Sequence, residues 1–118
     1  MIRSGARTPE ELESLLEDAF IVRDIAALGG LFDDQGVLDV GRGLGEVRGR
    51  EAIERVVTAM WDRDRTYVAE PRRVLQSGDM ALSLGWGINV VHRDHEGAWR
   101  FAIALIDPER LNVMEERR

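Results

Sequence analysis

Apolar side chains near the start of the chain recur every three or four residues, the spacing of one face of an α-helix. Thr8 and Pro9 fit the N-cap and first position of such a helix, and Glu11 completes a capping box. We therefore predict an amphipathic helix of about four turns. Its apolar face carries Leu12, Leu15, Leu16, Ala19 and Phe20, and its polar face carries Glu11, Glu13, Glu17 and Asp18.

A second, shorter helix is predicted after Asp24, a residue type that favours the N-cap position. The pair Gly29–Gly30 weakens this helix by roughly 1 kcal/mol per glycine relative to alanine, so two short helices are favoured over one long helix. The acidic segment Asp33–Gly36 has the composition of a turn. The inward positions of the second helix are predicted to be Ile25, Leu28, Leu31 and Phe32.

The pattern then predicts a short strand, a loop and a third helix. Val37–Val40 is the strand, and the glycines between Gly41 and Gly49 indicate a loop with unusual backbone angles. The helix is predicted over Arg50–Trp61, because its apolar positions follow the helical period most closely. Those positions are Ile53, Val56, Val57, Met60 and Trp61.

After residue 65 the spacing of apolar residues changes to every second position, which is typical of strands. We predict strands over Tyr67–Gln76, Met80–His92 and Trp99–Leu105, with a turn at Ser77–Asp79 and a hairpin connection at His92–Gly97. In the longest of these strands the even positions are large and apolar and the odd positions are small or polar. That alternation predicts one half-buried antiparallel strand.

Helices in the first half and strands in the second indicate an α+β fold, with helices packed on one face of a curved antiparallel sheet. At 118 residues the chain has the length of a single domain. We expect one domain over residues 1–118, with flexible ends at 1–7 and 109–118.

Composition and charge narrow the classes of function. The formal net charge of −6 disfavours a nucleic-acid partner, since a phosphate backbone is bound by clustered lysine and arginine. The apolar runs are too short for a membrane span, and the N-terminus lacks the apolar centre of a secretory signal. The sequence contains no cysteine, which removes disulfides and thiolate chemistry. A cytoplasmic protein without a membrane partner is expected.

Asp39 is the first candidate for chemistry, because it is an acid between apolar residues beside a glycine-rich loop. If Val37 and Asp39 face the protein interior, the pKa of the carboxyl group rises and it can transfer protons. If Leu38 and Val40 face inward instead, Asp39 is a surface acid. The strand is too short for its pattern to decide between these arrangements.

Two other motifs could indicate a metal site or a cofactor site. His92, Asp94, His95 and Glu96 are metal-ligand types, but they lie together on the predicted hairpin connection, where charged residues are usually solvated. No metal site is therefore predicted. The glycines at Gly41–Gly45 lack the strand–helix context of a dinucleotide-binding fingerprint, so no cofactor is predicted either.

Four segments resemble the nuclear-transport-factor-2-like (NTF2-like) superfamily, in particular its SnoaL-like and DUF4440-type members. They are LGGLFDDQGVLDVG (28–41), EVRGREAIERVV (46–57), VLQSGDMAL (74–82) and GAWRFAIALIDP (97–108). The resemblance implies a cone, in which a bent sheet wraps around the helices and leaves a pocket open at one end. It also implies a homodimer formed through the sheet.

The resemblance places Asp39 where ketosteroid-isomerase-like members hold their catalytic aspartate. Leu16 stands where an isomerase has its oxyanion tyrosine, and Asn89 aligns with the second oxyanion acid. If the protein is an enzyme, it is then a cofactor-independent isomerase, cyclase or hydrolase. Asp39 would be its general acid/base, and Asn89 or Tyr67 would donate hydrogen bonds to the developing negative charge.

Three hypotheses follow from the sequence. The protein binds an apolar or cyclic small molecule in the cone, or it also transforms that molecule, or it is a dimeric interaction module without a ligand. For dimerisation, the expected sheet-to-sheet contact is the face with small odd-position residues, Ala81, Ser83, Gly85 and Gly87. The residues predicted to line the pocket are Phe20, Phe32, Val37, Trp61, Tyr67, Arg72, Trp86, Trp99 and Phe101.

Overall fold

The structure, a computed structural model, describes residues 5–40, 45–62, 73–85 and 87–106. In these residues three helices precede most of the sheet: α1 Pro9–Val22, α2 Ile25–Gly30 and α3 Arg50–Asp62. The strands are β1 Phe32–Asp39, β2 Glu46–Arg48, β3 Arg73–Ser77, β4 Met80–Leu84, β5 Ile88–Arg93 and β6 Trp99–Leu105. The predicted α+β class is confirmed.

The helix starts form as the sequence predicts. The Thr8 side chain accepts a hydrogen bond from the Glu11 backbone N–H at 3.0 Å, and Glu11 in turn accepts one from the Arg7 N–H at 2.7 Å. Asp24 caps α2 by accepting from the Ala27 N–H. Arg23, between the two helices, adopts the left-handed conformation with φ 57°, so α1 ends there and the chain turns into α2.

In the described residues the sheet has six strands in the order β2-β1-β6-β5-β4-β3. All neighbouring strands are antiparallel except β1 and β6, which run parallel. The sheet is therefore mixed, whereas the sequence predicted an antiparallel sheet. Directly paired residues share a face of the sheet. One line of paired residues crosses all six strands on the helix side, and we call it the inner row: Val47, Leu38, Ala104, Asn89, Ser83 and Val74.

The next line of paired residues lies on the opposite side of the sheet. This outer row consists of Glu46, Asp39, Leu105, Ile88, Leu84 and Arg73. Its middle is apolar, and it continues into an apolar surface across β3 to β6. We call that surface the outer apolar face: Leu75, Met80, Leu82, Leu84, Ile88, Val90, Ile103 and Leu105. Five of these side chains are between 42% and 54% exposed.

The prediction of one strand over Met80–His92 is wrong. The segment forms β4 and β5, joined by a tight connection in which the Gly85 N–H bonds to the Gly87 carbonyl at 3.0 Å. A Cβ on Gly87 would overlap the Leu105 carbonyl oxygen, so only glycine allows this close approach to β6. The small residues Ala81, Ser83 and Gly87 are buried under the helices, so they are not the exposed sheet face that was expected.

The predicted turn at Asp33–Gly36 is also wrong. Phe32 is the first residue of β1 and not part of α2, and the acidic segment lies within the strand at a shift of register against β6. Such a bulge keeps strand pairing on either side of extra residues. The glycine-rich loop is confirmed where it is described, since Gly45 and Gly49 have φ of 76° and 93°.

The core lies between the helices and the inner face of the sheet. Its largest fully buried side chains include Trp99, Phe32, Phe101, Leu12 and Leu16. The α3 prediction is confirmed: Ile53, Val57, Met60 and Trp61 are buried. No helix in the described ranges is both long and apolar enough to cross a membrane.

Candidate functional site

A polar cluster lies in the otherwise apolar layer between α1 and the inner row. Glu13 is only 2% exposed, and its Oε2 accepts hydrogen bonds from Ser83 Oγ at 2.8 Å and from Asn89 Nδ2 at 2.7 Å. Ser83 and Asn89 are also buried, and they lie opposite each other on β4 and β5. Together Glu13, Ser83 and Asn89 form what we call the buried polar cluster.

Placing Glu13 on the polar face of α1 was therefore wrong. Glu13 precedes Leu16 by three residues and Phe20 by seven, so it lies on the buried face of the helix. Burying a carboxylate is costly unless hydrogen bonds compensate for the lost water. The two strand side chains provide two such bonds, and helical periodicity within α1 gives no signal for donors that lie 70 and 76 residues away.

Two buried polar atoms have no hydrogen-bond partner among the described residues: Asn89 Oδ1 and Trp61 Nε1. The Trp61 ring packs edge-on against Phe20, with the ring centroids 5.8 Å apart. Glu13 and Phe20 are seven residues apart on α1, so the two unpartnered atoms lie beside points separated by about 10 Å along that helix. Asn89 Oδ1 can accept a hydrogen bond, and Trp61 Nε1–H can donate one.

Asp39 lies on the other side of the sheet from this cluster. Leu38 and Val40 are 1% and 2% exposed, so they face the core, and Asp39 is half-buried on the outer row opposite Leu105. Of the two arrangements considered for this strand, the structure has the one with Leu38 and Val40 inward. Asp39 and Asn89 are thus not brought together, and a catalytic role for Asp39 stays a prediction.

The predicted pocket aromatics in the described residues are buried. Phe20 packs on Trp61, and Phe32 packs on Phe101 with ring centroids 5.2 Å apart. Trp99 is 2% exposed, and the Arg93 guanidinium lies 5.4 Å from its ring centroid. Val37 is half-buried on the outer side of β1, opposite Ile103. Tyr67, Arg72 and Trp86 lie outside the described residues, and the ligand-lining role of the whole set stays a prediction.

Two of the possible metal-ligand side chains at the β5–β6 hairpin, His92 and Asp94, interact with other side chains. His92 Nε2 lies 2.5 Å from Asp33 Oδ2, and Asp94 Oδ2 accepts a hydrogen bond from Arg100 Nε at 2.8 Å. The Arg100 hydrogen bond, assisted by the Ala98 and Glu96 backbone N–H groups, lowers the pKa of Asp94 to about 2. Within the described ranges no group of three or more acids and histidines is arranged to hold a metal ion.

A separate open groove of about 910 Å³ runs along the outside of the helices. Its apolar part includes Leu15 and the exposed Ile21 and Val22 of α1, and its polar part includes Asp18 and Arg100. The groove contains no member of the buried polar cluster and none of the predicted pocket residues. It is therefore distinct from the layer between α1 and the sheet.

The model of the SnoaL-like domain matches residues 12–106, which is most of the chain and nearly all of the described fold. The chain belongs to the SnoaL-like domain family. The resemblance to the NTF2-like superfamily is thereby confirmed. No functionally curated protein is significantly similar to this SnoaL-like domain in sequence.

Solved structures share the fold of this SnoaL-like domain. A ketosteroid isomerase-like protein from Erwinia carotovora atroseptica is 20% identical with a TM-score of 0.67, over 81% of this chain and 89% of that one. A putative calcium/calmodulin-dependent protein kinase type II association domain from Thiobacillus denitrificans is 16% identical with a TM-score of 0.70, over 87% and 96%. A putative aromatic ring hydroxylase from Novosphingobium aromaticivorans is 19% identical with a TM-score of 0.62, over 83% and 84%.

Proposed function

We propose that this SnoaL-like domain binds a small organic molecule with an apolar, cyclic body between α1, α3 and the inner face of the sheet. The observation that carries the proposal is the buried polar cluster, with Asn89 Oδ1 left without a partner. Ligand sites are typically apolar enclosures with a few convergent polar groups that orient the ligand. A core that served packing alone would be more stable without a buried carboxylate and an unpaired amide oxygen.

The aromatic side chains around this layer support the same proposal. Phe20 and Trp61 form one apolar wall between α1 and α3. The Trp61 Nε1–H has no hydrogen-bond partner among the described residues, so it is available to an acceptor on a ligand. Large flat side chains with one polar atom combine apolar contact area with a directional hydrogen bond. The structural neighbours named for isomerase and ring hydroxylase activity are compatible with cyclic ligands in such a fold.

The test is native mass spectrometry of the purified protein, followed by release and identification of any bound molecule. A variant with Glu13→Leu, Ser83→Ala and Asn89→Leu replaces the buried polar cluster by apolar side chains and should lose the ligand while remaining folded. Val22→Ala, in the surface groove, is the matched control and should retain it. Retention by the cluster variant together with loss in Val22→Ala would move the binding site to the groove.

A catalytic function for the same domain is the second candidate, and it rests on the position of Asp39 in the family resemblance. If a molecule is transformed on the outer side of the sheet, where Asp39 lies, Asp39→Asn should abolish its turnover while the far-ultraviolet circular dichroism stays unchanged. Unchanged turnover in that variant would remove Asp39 from the mechanism. Glu13→Gln tested in parallel shows whether the buried carboxylate performs the proton transfer instead.

We further propose that two copies of the chain pair through the outer apolar face. Monomeric proteins rarely expose contiguous apolar patches of more than a few hundred Å², and homodimer interfaces are the more apolar class. The outer row ends in Glu46 and Asp39 at one edge and in Arg73 at the other. A two-fold axis parallel to the strands would set the acidic edge of each copy against Arg73 of the other.

A further inference from the structure

The surface groove along the outside of the helices is a second candidate site, independent of the interior. It is open, and most of its lining comes from α1 and α2. Small-molecule sites enclose most of their ligand, whereas an open groove beside a helix about 21 Å long suits an elongated partner. We propose that this groove docks an amphipathic helix of a partner protein, whose apolar stripe is flanked by lysine or arginine.

The row of α1 residues that lines the groove has the spacing of a contact between helices. Glu11, Leu15, Asp18 and Val22 line the groove at intervals of four, three and four residues. Side chains at such intervals form one row along a helix, and such rows pack against a second helix in bundles and coiled coils. Acidic and apolar residues alternate along this row. A matching partner helix therefore carries basic and apolar residues at the same spacing.

The rest of the lining leaves room for the backbone of a second helix. Ala26, Ala27 and Gly30 of α2 line the groove and are exposed. Small residues of this kind permit close approach, because the distance between packed helices depends on the side chains between them. Ile21 and Val22 are the most exposed large apolar side chains of the described residues, at 64% and 68%. Adjacent exposed apolar side chains beside a groove indicate a protein contact.

The charge of the groove selects a basic partner. Glu11, Asp18 and Asp24 line it, and none of these carboxylates is in an ion pair within the described ranges. Glu11 and Asp24 accept hydrogen bonds from backbone N–H groups, which leave the negative charges in place. Arg50 and Arg100 also line the groove, but each is already paired with an aspartate outside the lining. The uncompensated acids favour a helix that carries lysine or arginine, and they disfavour nucleic acid and anionic membranes.

Three fluorescein-labelled helical peptides of about the length of α1 test the proposal at physiological ionic strength. The first has a leucine stripe flanked by arginine, and the second has the same stripe flanked by glutamate. The third has the composition of the first, with its leucines distributed around the helix. Fluorescence anisotropy with the full-length protein should show the first peptide binding at least about tenfold more tightly than either of the others.

Reversal of one groove charge should change the preference between the peptides. Asp18→Arg should weaken binding of the arginine peptide by about fivefold or more and strengthen binding of the glutamate peptide. Glu10→Arg is the matched control, because it makes the same change of charge at an exposed position of α1 outside the groove lining. That variant should alter each affinity by less than about twofold.

A second pair of variants tests the apolar part of the groove. Val22→Ser should weaken binding of the arginine peptide by about fivefold, because the contact then loses buried apolar area. Ile103→Ser is the control on the outer apolar face, where Ile103 is 42% exposed, and it should leave the affinity unchanged.

Several results would contradict the proposal. Equal binding of the arginine and glutamate peptides, an unchanged affinity in Asp18→Arg, or no binding by any peptide would exclude a basic partner helix. Loss of binding in Ile103→Ser but not in Val22→Ser would move the peptide to the outer apolar face.

Two other occupants of the groove are distinguishable by the same variants. Gly5 lines the groove, so binding of the arginine peptide only in Arg3→Glu would assign the groove to the chain's own first residues. A wild-type protein that sediments as an assembly larger than a dimer, and as a dimer in Val22→Ser, would assign the groove to a second copy. Either result would overturn the partner helix.

Discussion

The stability of the core around Glu13 depends on whether its hydrogen-bond donors keep an acceptor. Substituting Glu13→Leu alone should lower the free energy of unfolding by about 2–4 kcal/mol, because Ser83 Oγ and Asn89 Nδ2 lose their common acceptor. Adding Ser83→Ala and Asn89→Leu should recover part of that loss, since these two substitutions remove the donors that Glu13→Leu leaves unpaired. Urea unfolding followed by circular dichroism measures both values. If the triple variant is no more stable than the single one, the cluster is required for the fold.

Asp94 should make the free energy of unfolding depend on pH in the acidic range. Its pKa is lowered from 3.8 to about 2 in the folded protein, mainly by the Arg100 hydrogen bond. The folded state therefore gains stability from Asp94 above pH 4 and loses it as the pH falls toward 2. Asp94 is partly solvated, so we expect Asp94→Asn to cost on the order of 1 kcal/mol at pH 7.

The measurement is urea unfolding of wild type and Asp94→Asn at pH 7 and at pH 2.5. Their difference should shrink at the lower pH. Asp79→Asn is the control in a neighbouring turn, because the Asp79 side chain in its ion pair with Arg93 is 67% exposed and such pairs contribute little. An Asp94→Asn difference that stays constant with pH would show that the Asp94 charge does not stabilise the fold.

Sequence reasoning at this scale succeeds for local interactions and fails for distant ones. Thr8 and Asp24 were correctly predicted as caps, because a cap and its partner lie three residues apart. The face of Asp39 and the burial of Glu13 depend on which strands and helices pack against them. No pattern within seven or eight residues contains that information.

At the scale of elements, the connection between β4 and β5 should be intolerant of any side chain. Gly87→Ala places a methyl group on the Leu105 carbonyl oxygen and should cost about 2–4 kcal/mol. Gly30→Ala is the matched control, because its added Cβ meets nothing within 4 Å and lies at the end of α2. That variant should gain about 0.5–1 kcal/mol. Thermal or urea unfolding of both variants tests the contrast, and equal effects would contradict it.

The same connection explains why two strands were predicted as one. Leu84 and Ile88 are paired residues on the outer side, so the alternation of large and small residues continues in step across the turn. A turn that preserves the alternation leaves glycines as its only mark in the sequence. By contrast, α3 was predicted nearly residue by residue, since its buried face recurs through an uninterrupted segment.

For the whole molecule, pairing through the outer apolar face predicts a charge-specific dimer. Asp39→Arg and Arg73→Asp should each weaken dimerisation, because each puts like charges at the proposed contact between edges. The double variant restores opposite charges and should restore the dimer. Sedimentation equilibrium across a range of protein concentrations measures the three dissociation constants.

Two further variants test the surface itself. Ile88→Glu, in the middle of the outer apolar face, should yield monomers. Ile21 is equally apolar and 64% exposed, but it lies on the helix side of the molecule, so the Ile21→Glu variant should remain dimeric. A dimer that survives Ile88→Glu and is lost in Ile21→Glu would assign the interface to α1.

The parallel pairing of β1 with β6 has a consequence for synthesis on the ribosome. Phe32 pairs with Phe101 and Leu38 with Ala104. The pairing of β1 with β6 therefore cannot form until β6, the last strand of the sheet, has been synthesised. Until then α1 exposes the apolar side chains of Leu12, Leu16 and Phe20 to solvent or to a chaperone. Long-range pairings of this kind slow folding. We expect nascent chains that stop before Trp99 to remain protease-sensitive, and a chain carried through Ile106 to become resistant in one step.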